Sequence, residues 1–101
     1  MDLIFHITSR HEAEEANLSG TYLPRDFERE GFVHCSYRHQ LPAVADRLFR
    51  GRTDLVVLQI DPSRLTAPVI HENLEGGTEF FPHVYGPIPM AAIVEIHPFH
   101  P

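Results

Sequence analysis

Polar residues interrupt the apolar opening segment Leu3-Ile4-Phe5-His6-Ile7-Thr8 at alternate positions, and its β-branched and aromatic content predicts a strand. Ser9 with Glu12 three residues on forms a capping-box signature. The serine oxygen takes a first-turn amide and the glutamate returns to the cap amide. A helix is expected from about Arg10 to Leu18, stopping near Gly20, with a thin apolar stripe of Ala13, Ala16 and Leu18. Thr21 to Glu30 carries Pro24 and five charged residues without a clear period and reads as a loop.

Strand character resumes in Gly31-Phe32-Val33-His34-Cys35-Ser36. Leu41, Val44, Ala45, Leu48 and Phe49 then follow the i, i+3, i+4, i+7, i+8 spacing of a buried helical face. Pro42 is tolerated only in a first turn, so that helix begins near Gln40, with Ser36 capping a looser lead-in. The run Asp54 to Asp61 is apolar on both faces for most of its length, the pattern of a central strand covered on two sides. Val69 to Glu72 reads as a short strand, and Leu74-Glu75-Gly76-Gly77 as a flexible turn. Phe81 to Pro89, with its three prolines, reads as a rigid extended loop, and Ile93 to Ile96 as a last strand. One α+β domain over residues 1–101, a small mixed split sheet with two main helices, accounts for this order.

At 101 residues the chain is long enough to bury a core without a disulfide or structural metal. Eight arginines and no lysine face fourteen acidic residues, for a formal charge of −6. That balance argues against DNA or RNA bound as a bulk polyanion, while arginine remains suited to gripping one small anion. Cys35 is the only cysteine, which excludes an intramolecular disulfide and a cysteine-rich zinc site. The amino terminus lacks a signal-peptide pattern, and no run approaches the ~20 apolar residues that span a bilayer, so a cytoplasmic protein without membrane association is expected.

Alternation puts His6 and Thr8 on one face of the first strand, and Phe32, His34 and Ser36 together on the second, with Cys35 turned away as a small buried hydrophobe. Each strand thus delivers an imidazole and a hydroxyl immediately before a helix, where backbone amides favour anions. The segment Phe81-Pro82-His83-Val84-Tyr85-Gly86-Pro87 adds an imidazole and a phenol in a proline-stiffened frame, and Glu72 is the best-placed acid. His6, His34 and His83 supply nitrogens suited to zinc, but no HxH or HExxH spacing occurs, so no metal is expected.

FHIT, GFVHCS and FPHVYGP, in this order, together with Val44-Ala45-Asp46-Arg47-Leu48-Phe49-Arg50-Gly51 and the run Asp54 to Pro62, resemble the uncharacterised family known as domain of unknown function 952. Its members look like compact versions of the ADP-ribosyltransferase fold, which binds NAD in a cleft between two small sheets. The resemblance implies that His6 and Thr8 hold the NAD ribose, that Ser36 and the following helix start hold phosphate, and that Arg47 is a further phosphate contact. Tyr85 and Gly86, with His83, shape the nicotinamide or acceptor end. The acid or base falls among His34, Glu72 and His83, because the superfamily's late-strand glutamate has only poor matches here, Glu72 and Glu79. An NAD- or nucleotide-handling enzyme, performing ribosyl or phosphoryl transfer, is the leading expectation. A non-catalytic nucleotide or small-molecule binding module and a metal-dependent hydrolase on His6, His34 and His83 are the alternatives.

Overall fold

In the computed structural model, which describes residues 2–74 and 76–100, three antiparallel sheets carry the architecture. The first has strand order β1-β4-β8, formed by β1 (Ile4–Ser9), β4 (Leu55–Ile60) and β8 (Ile93–Pro98). The second pairs β2 (Thr21–Tyr22) with β7 (Ile88–Pro89). The third has the order β3-β6-β5, from β3 (Val33–His34), β6 (Phe81–Val84) and β5 (Val69–Glu72). Helix α1 (Arg10–Ser19) follows β1, α2 (Phe27–Glu30) precedes β3, and α3 (Leu41–Leu48) leads into β4.

The two-sided apolar pattern of β4 is answered by burial on both faces. Val56, Leu58 and Ile60 join Ile4, Ala13 and Ala16 in one cluster, so α1 covers that side. Leu55 and Val57 join Phe5, Ile7, Leu41, Val44 and Ala45 in a second cluster, so α3 covers the other. The thin stripe on α1 still suffices, because Ala13 and Ala16 are both buried. Ser9 accepts from the Glu12 amide at 3.1 Å, and Gly20, with φ of 88°, ends the helix in the left-handed region where glycine carries no steric penalty. The expected reciprocal half of the capping box is replaced: the Glu12 carboxylate accepts from the Thr8 hydroxyl at 2.7 Å.

Several expectations are corrected. The segment 21–30 is not one loop but contains β2 and α2. The segment 81–89 contains β6 and β7, and β6 is the central strand of its sheet with every residue buried. Pro82 is tolerated there because its missing amide falls where β3 has already ended; its carbonyl still accepts from Cys35 N–H at 3.0 Å. Ser36 does not cap α3. A 3-10 turn, Arg38–Gln40, intervenes, and Tyr37 occupies its cap, with its amide donating to Gln40 Oε1 at 2.9 Å. The last strand continues to Pro98 because His97 and Pro98 keep their places opposite Val57 and Val56.

The first and third sheets are joined by one backbone pair. Phe5 N–H donates to Ser36 O at 2.8 Å, and Ser36 N–H donates to Phe5 O at 2.7 Å. This bridge sets His6, one residue past it on β1, beside His34 at the end of β3. Among the described residues no helix is long and apolar enough to cross a membrane.

Candidate functional site

A cavity of about 300 Å³ opens at this junction, lined by His6, Pro24, Asp26, Glu30, Phe32, His34 and Leu48. Its two imidazoles come from different sheets. His6 Nδ1 lies 2.7 Å from the His34 carbonyl oxygen, which can only accept, so Nδ1 carries the proton. The other ring nitrogen, Nε2, lies 2.7 Å from the Tyr22 hydroxyl. The Tyr22 hydroxyl also reaches Thr8 Oγ1 at 3.0 Å, and Thr8 in turn donates to Glu12. Three contacts, His6 to Tyr22, Tyr22 to Thr8 and Thr8 to Glu12, therefore share two hydroxyl protons while His6 is neutral. Protonated His6 would fill all three, but burial opposes that charge and pulls the imidazole from 6.5 down to about 4. Burial likewise raises the Tyr22 phenol, which stays neutral.

On the face of the third sheet opposite the Val33–Cys35–Val84 core, alternation gathers Phe32, His34, Phe81, His83, Tyr85 and Glu72. His83 is opposite His34 in the β3–β6 register, with ring centroids 5.3 Å apart. Its ring stacks on Phe32 at 4.0 Å and 17° and is 1% exposed. The Glu72 carboxylate receives two contacts on one oxygen: His83 Nδ1 at 3.2 Å and the donating Tyr85 hydroxyl. The Tyr85 bond, followed by the one from His83, holds the Glu72 carboxyl below the usual carboxylate range and raises the Tyr85 phenol. A carboxylate accepts only, so Nδ1–H donates to it, and in the neutral ring Nε2 carries the lone pair. That Nε2 is buried and has no hydrogen-bond partner among the described residues.

The structure thus brings His6 and His34 to one cavity and Glu72, His83 and Tyr85 into one hydrogen-bonded set beside it. Thr8 belongs to the His6 network and is 4% exposed. Ser36 is buried with both backbone groups spent on Phe5. Arg47 lies apart, in a separate hollow with Asn73, Gly77, Thr78, Glu79 and Phe81. Gly86 has a packing reason: a Cβ there would stand 2.7 Å from the Ala67 Cβ. Cys35 is buried with its thiol pushed up by desolvation, as a small hydrophobe. Among the described residues no group of three or more His, Cys, Asp or Glu is placed to hold a metal ion, so the hydrolase reading on three histidines finds no ligand cluster. Tyr22, Asp26 and Glu30 were not legible as site residues. All three sit in the segment read as a loop, and their only signal was its density of charge around two aromatic residues, Tyr22 and Phe27.

Solved structures of one other protein resemble the chain over nearly its whole length. The crystal structure of protein CC0527 from Caulobacter crescentus has a TM-score of 0.85 and 29% identity, covering 97% of this chain and 86% of that one. The solution structure of CC0527 gives a TM-score of 0.82 and 30% identity, covering 97% and 84%. No curated protein matches the chain. The model of the family described as protein of unknown function (DUF952) matches residues 7–96. Spanning most of the chain, that match makes this protein a member of the DUF952 family.

Proposed function

We propose that the cavity between the first and third sheets receives the nicotinamide-ribose end of NAD, and that the protein is an NAD-dependent ribosyl transferase with an ADP-ribosyltransferase-like split-sheet site. The observation that carries this reading is the composition of the cavity wall. Two imidazoles from separate sheets, one aromatic face and two carboxylates, Asp26 and Glu30, line it without an arginine. Carboxylates suit ribose hydroxyls, which donate, and they suit the positively charged nicotinamide ring, which Phe32 can also face. They also favour the oxocarbenium-like charge that develops as a glycosidic bond opens. Phosphate finds little support in such a wall, so ribosyl transfer is favoured over phosphoryl transfer. A volume of about 300 Å³ lies at the small end of ligand cavities and suits one end of a dinucleotide.

A second reading, a binding module without turnover, rests on His6. Both of its ring nitrogens are engaged, by the His34 carbonyl and the Tyr22 hydroxyl. Ribose contact through His6 then requires a change of partners.

Calorimetric titration of NAD, nicotinamide riboside and ADP-ribose separates these readings, with chromatography of the same mixtures for free nicotinamide. The expected result is binding of NAD and nicotinamide riboside, weaker binding of ADP-ribose, and loss of affinity in Asp26→Asn and Glu30→Gln. Binding without nicotinamide release selects the module. Absence of heat with all three ligands would overturn the nucleotide reading altogether.

A further inference from the structure

The Glu72–His83 pair lies just behind the cavity, and its chemistry is one-sided. Glu72 fixes Nδ1 as the donor, so in the neutral imidazole Nε2 is the acceptor, and it is buried without a hydrogen-bond partner among the described residues. A buried acceptor left unfilled is destabilising, and native proteins keep few of them. Apolar packing would be the stable alternative at a position 1% exposed in a central strand. Phe32 and His34 are the cavity-lining side chains whose rings contact the His83 ring, at centroid separations of 4.0 and 5.3 Å. One side of Phe32 lines the cavity and its ring stacks on His83. Phe32 also sits outside regular structure, directly after Gly31 at φ of 84° and just before β3 begins at Val33.

Building on the ribosyl-transfer reading, we propose that His83 Nε2 is the base that takes the proton of a hydroxyl acceptor, an alcohol or water, admitted when the Phe32 ring swings aside. In this step the acceptor oxygen bonds to the ribose anomeric carbon. The bond from that carbon to the nicotinamide nitrogen breaks, and its electron pair leaves on the now neutral nicotinamide. The hydroxyl proton goes to His83 Nε2, so the positive charge lost by the nicotinamide ring appears on the imidazolium. Glu72 is a positioning residue: it fixes the tautomer and offsets that charge, and the Tyr85 hydroxyl holds the carboxylate in place through the same oxygen.

The test has two arms. In the first, without any nucleotide, nitrogen-15 NMR reads the His83 tautomer, and mass spectrometry follows carbethoxylation of each histidine by diethyl pyrocarbonate. The expected wild-type result is the Nδ1–H tautomer and slow modification of His83. Phe32→Ala speeds modification of His83 while exposed His39 and His71 keep their rates, and Glu72→Gln lowers the Nδ1–H fraction. Phe32→Leu replaces the alanine variant should that one fail to fold. An Nε2–H tautomer in the wild type, or a folded Phe32 variant whose His83 stays as slow as wild type, overturns the base. In the second arm, NAD and methanol are supplied, and His83→Gln is expected to lose about a hundredfold in transfer to methanol with NAD binding unchanged by calorimetry. Transfer retained in that variant also overturns the base. Failure of NAD to bind the wild type removes the ribosyl-transfer reading and this step with it, whereas normal NAD binding with an Nε2–H His83 removes the base alone.

Discussion

Acidification should destabilise this protein through His6 in a window that can be stated in advance. The folded imidazole is drawn from 6.5 to about 4, chiefly by burial, against a raising contribution from its bond to the His34 carbonyl. The charges facing it are the His34 ring, which lowers it further, and Glu12 and Asp26, which raise it. Between these two values the unfolded chain binds a proton at His6 and the folded one does not, so stability falls as pH drops. The contribution is complete above about 6.5 and is lost progressively toward 4. At ~1.4 kcal/mol per pH unit the interval corresponds to a ceiling of about 3 kcal/mol, a visible part of the roughly 5–15 kcal/mol that holds a small domain together. Carboxylates such as Glu72, whose folded pKa is depressed below 4.5, begin to lose their contribution only at the lower end of this window and cancel when wild type is compared with a His6 variant. Urea denaturation of wild type and His6→Asn at steps from pH 8 to pH 4 provides the assay. Asparagine keeps a donor for the His34 carbonyl and has no titrating group, and the other histidines cancel in the difference. The wild-type slope should exceed the variant's by up to ~1.4 kcal/mol per pH unit within the window. Equal slopes, or an NMR titration placing His6 at 6.5 or higher, would refute the reasoning and show that the proton needed by the Tyr22–Thr8–Glu12 chain outweighs desolvation.

Three further outcomes follow from the same contacts. Tyr22→Phe removes the hydroxyl that serves both His6 Nε2 and Thr8 Oγ1. It should lower stability by about 1–3 kcal/mol in denaturant titrations, and a loss under ~0.5 kcal/mol would mean the bonds are not made in solution. Gly86→Ala drives a methyl group to 2.7 Å from the Ala67 Cβ; a loss of about 1–3 kcal/mol is expected, with partial recovery in the Ala67→Gly double variant. Additive losses in that cycle would contradict the contact. Ser9→Ala removes the acceptor of the Glu12 amide and should cost about 1 kcal/mol, read as a shift of the thermal midpoint; an unchanged midpoint would show that the cap is dispensable.

The elements whose order is set by local chemistry were legible in the chain. Ser9, Gly20 and the alanines of α1 carry that helix's start, stop and buried face within a dozen residues, and β4 announces its two-sided burial by its own composition. The third sheet was not legible, because its central strand is recognisable only by its neighbours. Pro82 argues locally against a strand, and it becomes acceptable only once β3 is known to end opposite it. The same limit applied to the site. Alternation alone put His6 with Thr8, and it grouped Phe32 with His34. The tyrosine joining His6 to Thr8, however, comes from a two-residue strand that no periodicity marks, since β2 exists only by pairing with β7.

His34 ties the two halves of the site, and this has a consequence for any ligand. Its backbone carbonyl orders the His6 ring, which ends the Tyr22–Thr8–Glu12 chain, while its own ring lies 5.3 Å from His83, which ends the Glu72–Tyr85 set. A molecule that displaces the end of β3 to reach Phe32 must therefore disturb the His6 bond, and one that takes His6 as a partner loosens His34 from the other side. The two hydrogen-bonded sets act on one cavity through a strand only two residues long. Short strands with few ladder bonds are among the easier parts of a fold to move, which favours ligand entry at this point over any path through the six-residue strands β1 and β4.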